Sequence, residues 1–153
     1  MPRRSPLSRL APVFVATAIL VAGCQGSVLH VTPPQPVNSV VPVCNRLNDA
    51  LPNLLEHLQS RPTRPRSPLV HAWGNVHPVV LRCGVPVPNG YSDTSPQTAK
   101  VNDVTWFQQI EGDHVVWTAI RKATNVELTI PTHYQEQGAF LVDVGEAISQ
   151  TIP

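Results

Sequence analysis

No charge of one sign dominates this chain of 153 residues: 11 Lys and Arg stand against 10 Asp and Glu, a formal net charge of +1. Little is therefore available to hold a phosphate backbone, which argues against a nucleic-acid binder. Only one long apolar run occurs, which argues against a chain that crosses a membrane repeatedly. The strings that carry common chemistry are also missing. There is no H-E-x-x-H and no Cys/His spacing of zinc type, so the six scattered His read as surface residues and no metal or other cofactor is expected. There is no G-x-S-x-G, S-x-x-K or S-D-N, the signatures of serine hydrolases and penicillin-binding enzymes. The glycines at 74, 84, 90, 112, 138 and 145 make no phosphate-cradling loop. These absences favour a non-catalytic domain, with an enzyme as the alternative.

Proline, by contrast, is abundant and unevenly spread. Seventeen residues are Pro, about twice the usual usage of around 5%, and 15 of them lie at or before Pro96. The N-terminus has a different character again. Arg3, Arg4 and Arg9 precede an apolar run from Leu10 to Ala22. As a helix these 13 residues span roughly 20 Å, short of a hydrocarbon core of about 30 Å. The length suits the apolar region of a secretory signal. Val21-Ala22-Gly23-Cys24 closes it and resembles the lipobox of bacterial lipoproteins. That resemblance implies cleavage before Cys24, acylation of its sulfur, and a membrane partner reached through the lipid. The competing reading is a plain secretory signal with a chance Cys. Twin-arginine export is disfavoured because Pro6 sits where that signal wants a large apolar side chain.

These features divide the chain into a lipoprotein signal at 1–23, the lipidated Cys24 with a Pro-rich tether at 24–43, and a domain at 44–153. Loss of the signal removes three Arg, leaving eight basic against ten acidic side chains, a net of −2. The expected location is the extracytoplasmic face of a cell membrane, lipid-anchored. An extended tether of 19 residues, Gln25 to Val43, could hold the domain up to roughly 60 Å from the bilayer. The competing reading is that part of it packs as an edge strand through Val37, Val40 and Val41.

For 44–153 the pattern predicts an α+β fold: an antiparallel sheet of about four strands, with an N-terminal and a C-terminal helix packed on one face. Leu47, Leu51, Leu54, Leu55 and Leu58 make an apolar helical stripe over Cys44 to Ser60, interrupted by Pro52. Arg61 to Pro68, R-P-T-R-P-R-S-P, reads as irregular. Strands are expected at Val76 to Gly84, Val101 to Ile110, His114 to Arg121 and Val126 to Pro131. Thr132 and Gln135 form a capping-box pattern ahead of a helix over about 133–150.

Cys44 and Cys83 remain once Cys24 is set aside. In an exported chain they are expected to form a disulfide; a redox or catalytic thiol is the alternative, but neither sits in a C-x-x-C. Two further features suggest binding. Arg61, Arg64 and Arg66 lie on a proline-stiffened loop suited to anionic lipid headgroups or wall-polymer phosphates, or are plain solvated surface. Arg82 should point away from Leu81. It either pairs with a carboxylate such as Glu127, the favoured reading, or anchors an anionic ligand with Trp73 or Trp106 as a flat contact.

Several strings together resemble one family. They are Cys44 with Leu51-Pro52, Trp73-Gly74, then Val79-Val80-Leu81-Arg82-Cys83-Gly84-Val85-Pro86, and Val101-Asn102-Asp103-Val104-Thr105-Trp106. They look like domain of unknown function 3515, an uncharacterised family of small exported actinobacterial proteins. The chain departs from its pattern at Asp103 and Thr105, and at Ser95, Pro96 and Gln97, where the family tends to carry another Cys. The resemblance implies an envelope location and a compact domain, and supplies no activity. The expected role is a membrane-anchored envelope lipoprotein with a binding or structural domain, its partner an envelope protein or wall polymer. The alternative is an enzyme acting on cell-wall or lipid-linked substrate.

Overall fold

Strict alternation of apolar and polar side chains makes a strand that is wet on one face and buried on the other, and Val126 to Ile130 follows that rule closely. The structure, a computed structural model, describes residues 28–153. In chain order its elements are β1 (Leu29–His30), α1 (Val41–Ala50), β2 (Leu54–Leu55), β3 (Leu58–Arg61), β4 (Thr63–Arg64), β5 (Val70–Trp73), β6 (Val79–Val85), β7 (Thr98–Val101), β8 (Val104–Glu111), β9 (His114–Ile120), β10 (Asn125–Pro131) and α2 (Gln137–Thr151). Eight strands form one antiparallel sheet in the order β2-β3-β5-β6-β10-β9-β8-β7, and β1 pairs with β4 in a separate parallel ribbon.

The expectation of an α+β domain with about four strands is therefore corrected: the chain is mostly β, with eight strands in its main sheet. The four strands read from the sequence are its middle, β6-β10-β9-β8. The outer ones are hidden by proline and by a misleading leucine stripe. Helix α1 stops at Ala50, and Leu51 is already extended. Pro52 has no N–H to continue the helical ladder, and its ring disfavours helical geometry in the residue before it. Leu55 and Leu58 then face each other across a two-residue hairpin, where Glu56 and His57 take positive φ of 43° and 70°. A primed turn of this kind usually carries Asn or Gly, so no turn signal marks it. Within R-P-T-R-P-R-S-P, Arg61 closes β3 and Thr63–Arg64 make β4.

The capping-box expectation is also corrected. Thr132 Oγ1 donates to the carbonyl of Asp113, and α2 starts later, behind Glu136, with no side-chain cap. Its first turn is fixed instead by Trp117 Nε1 donating to Gln137 Oε1 at 2.8 Å, and its end by Arg121 Nε donating to Ile152 O at 2.9 Å.

Both helices cover one face of the sheet. Leu47 from α1 and Phe140, Leu141, Val144 and Ile148 from α2 meet Trp73, Leu81, Trp106 and Leu128 in a single buried core. Cys44 and Cys83 are joined in a disulfide within it, tying α1 to β6 with a Cα separation of 5.7 Å. From Val28 onward the segment read as a tether belongs to the fold. Val31 N–H donates to Arg64 O at 3.0 Å, the chain then straps across the uncovered face of the sheet, and α1 begins at Val41. Residues 24–27 lie outside the described residues.

Candidate functional site

The uncovered face is built from the outward residues of β6, β10, β9 and β8. Register puts Glu127 directly between Arg82 on β6 and Thr118 on β9. The pairing expected for Arg82 is present and bidentate: Nε donates to Glu127 Oε1 at 2.7 Å and Nη2 donates to Oε2 at 2.8 Å. This fork is the stronger form of the ion pair. Hydrogen bonding to Glu127 raises the Arg82 pKa further above its ordinary value than partial burial lowers it, and the charges of Glu127 and Glu111 add to the rise. The pair is asymmetric in exposure, with side chains 36% and 15% accessible, so Arg82 still presents an edge to solvent.

Two adjoining cavities, about 280 and 500 Å³, meet over this pair and share Arg82, Glu111, Val116 and Glu127. Together they make a trough floored by the sheet. The strap forms its wall, through Leu29 to Thr32 along one part and Pro34 and Gln35 along the other. Gly84 sets how closely the strap can lie. It has φ +94°, and a Cβ there would stand 2.7 Å from Pro36 Cγ. Arg82 meets two carboxylates here, Glu127 in the floor and Glu111 at its rim.

The other residues singled out in the sequence do not gather here. Trp73 and Trp106 are fully buried on the opposite, helix-covered face, so neither offers a flat surface to a ligand held by Arg82. Trp73 Nε1 donates to Pro52 O at 2.8 Å. Arg61 Nη1 donates to the carbonyls of Gly74 and Asn75 at 2.9 and 3.0 Å, bracing the turn after β5. Arg64 and Arg66 are exposed. His77 stacks on His133 with ring centroids 4.3 Å apart. Among the described residues no group of three or more His, Cys, Asp and Glu converges as a metal site.

One constellation has no sequence signature. His71 on β5 bridges Ser60 on β3 and Asn48 on α1, with Nε2 2.9 Å from Ser60 Oγ and Nδ1 3.0 Å from Asn48 Oδ1. Burial pushes the His71 pKa down, which favours the neutral ring. An amide oxygen only accepts, so Nδ1 carries the proton and Nε2 accepts from the serine hydroxyl. The three residues come from three elements, so no local string could announce them.

The class defined is a mostly-β, disulfide-tied domain with one covered sheet face and one strap-walled trough. The chain matches the family described as Protein of unknown function (DUF3515) over residues 6–153 and belongs to it. No curated protein and no solved structure matches. No helix among the described residues is long and apolar enough to cross a membrane.

Proposed function

We propose that the protein is a lipid-anchored domain of the cell envelope, held by Cys24 at the outer face of a membrane, whose trough binds an envelope protein or wall polymer. The lipobox-like Val21-Ala22-Gly23-Cys24 supports the anchor. The observation that carries the binding reading is the trough itself: a polar floor with a fixed Arg82–Glu127 fork and a wall made by the segment next to the anchor. Thr118, Thr129 and Gln109 add hydroxyl and amide groups suited to a hydrogen-bonding ligand. Fractionation and crosslinking of cell envelopes test both parts. Cys24→Ala should move the protein out of the membrane fraction or leave it unprocessed, and Glu111→Lys at the trough rim should remove crosslinks seen with the wild type. Unchanged anchoring sinks the first part; unchanged crosslinks sink the second.

A second reading, an enzyme acting on wall or lipid-linked material, is favoured by the Ser60–His71–Asn48 relay. A hydroxyl hydrogen-bonded to a neutral imidazole that a third group orients is the arrangement of an activated nucleophile. In that reading Ser60 is labelled covalently by an alkyl fluorophosphonate, and His71→Ala abolishes the labelling. Full-length protein that stays unlabelled leaves the relay a hydrogen-bonded brace between α1 and strands β3 and β5.

A further inference from the structure

The strap determines where the domain sits as well as the shape of its trough. Strands β1 and β4 run parallel, with Leu29 opposite Thr63 and His30 opposite Arg64. The chain therefore enters the fold beside the proline-stiffened loop. Only Gln25, Gly26 and Ser27 separate Cys24 from Val28. From Cys24 to His30 is six residue steps, at most roughly 21 Å even if fully extended. A lipid on Cys24 would thus keep the His30–Arg64 pair within about that distance of its attachment point, far closer than the roughly 60 Å that a free tether would allow.

The surface at that place has the right chemistry. Arg64 and Arg66 are exposed, and among the described residues neither guanidinium meets a carboxylate. His30 beside them is exposed, and so is Val28, at 48%. The processed chain is net −2, so an anionic bilayer would repel the molecule as a whole and attract it only at such a patch.

We propose that Arg64 and Arg66, with His30 and Val28 beside them, form a docking surface for the anionic headgroups of membrane lipids, which lays the domain against the bilayer with its strap lowermost. The proposal rests on the lipid attachment at Cys24. Each basic side chain close to an anionic surface favours the docked state about fivefold, so two give about thirtyfold. That is too little to capture the protein from solution and enough to orient one already anchored. The trough, whose wall is the strap, then opens next to the membrane surface.

The test uses full-length processed protein purified with its lipid and placed in vesicles of phosphatidylcholine alone or with about a third phosphatidylglycerol. Amide exchange at residues 29–31 and at Thr63, Arg64, Arg66 and Ser67 should be several-fold slower in the anionic vesicles. The difference should vanish in roughly 0.5 M salt, which shortens the screening length to about 4 Å, and in the Arg64→Gln/Arg66→Gln double variant. Equal exchange in both vesicles overturns the proposal. So does protection by a soluble glycerol-phosphate polymer with none from anionic vesicles, which would assign the patch to wall polymer. The mass of the Cys24 peptide is read on the same sample. Unmodified Cys24 sinks the anchor, whereas modified Cys24 with equal exchange sinks only the docking surface.

Discussion

Replacing Cys44 and Cys83 together by Ala will lower the stability of the domain by about 4 kcal/mol. The bond closes a loop with a sequence separation of 39, and for a loop of that length the chain-entropy estimate gives about 4 kcal/mol at 25 °C. Both residues are essentially inaccessible, so truncation also removes packed atoms from the core. The loss falls on the part of the molecule least able to bear it. Helix α1 is ten residues long, has no side-chain cap and buries only Cys44 and Leu47 within its span. Helices this short are marginal without tertiary packing. Without the bridge, α1 keeps the packing of Leu47 on the core and the hydrogen bond from Asn48 to His71 on β5, the latter worth about 1 kcal/mol net. Urea unfolding of the oxidised wild type and the double variant gives the measurement. A difference below about 1 kcal/mol would mean that the unfolded chain is already confined or the native bridge is strained, and the staple argument would fail.

The same part of the chain explains what the sequence makes legible. Strand β10 can be read directly, because Val126, Leu128 and Ile130 alternate with Glu127 and Thr129 and the covered face selects that register. The Arg82–Glu127 fork follows from it, since both residues point outward on neighbouring strands. Residues 51–64 mislead because the leucines are spaced for one helix, whereas the chain leaves α1 before Pro52 and puts Leu54, Leu55 and Leu58 on two short strands whose turn uses Glu56 and His57. The strap is illegible for another reason. Leu29 and His30 have no periodicity of their own; they are held by Thr63 and Arg64, more than thirty positions away in the chain. Local pattern cannot report a pairing of that range, and prolines at 33, 34 and 36 imitate a free linker. The trough is invisible for the same reason, because its wall is the strap. The relay needs Asn48, Ser60 and His71 to meet from three elements, two of which pattern does not resolve.

Gly84→Ala will detach the strap and cost about 2–6 kcal/mol. Two effects combine. At φ +94° a side chain is strained whatever space surrounds it, which costs on the order of 1–3 kcal/mol. The new Cβ would also lie 2.7 and 2.9 Å from Pro36 Cγ and Cβ. These are atoms of a closed ring, so no side-chain rotation relieves the overlap, and overpacking of this kind costs about 1–3 kcal/mol unless something moves. On the sheet side Gly84 is fixed by its strand: Cys83 and Val85 on either side pair with Val126 and Asn125, where the β6–β10 register shifts. The strap is held at Leu29–His30 by a two-residue ribbon and is the piece free to yield. Exchange should therefore become fast at the Val31 amide, now bonded to Arg64 O, while the central amides of β9 and β10 keep most of their protection. A double-variant cycle separates the two causes. Pro36→Gly removes the ring that the new methyl group would strike, so the cost of Gly84→Ala should fall in that background to the backbone strain alone. Additive losses would show that Pro36 and Gly84 are not in contact, and the strap would then not form the wall of the trough.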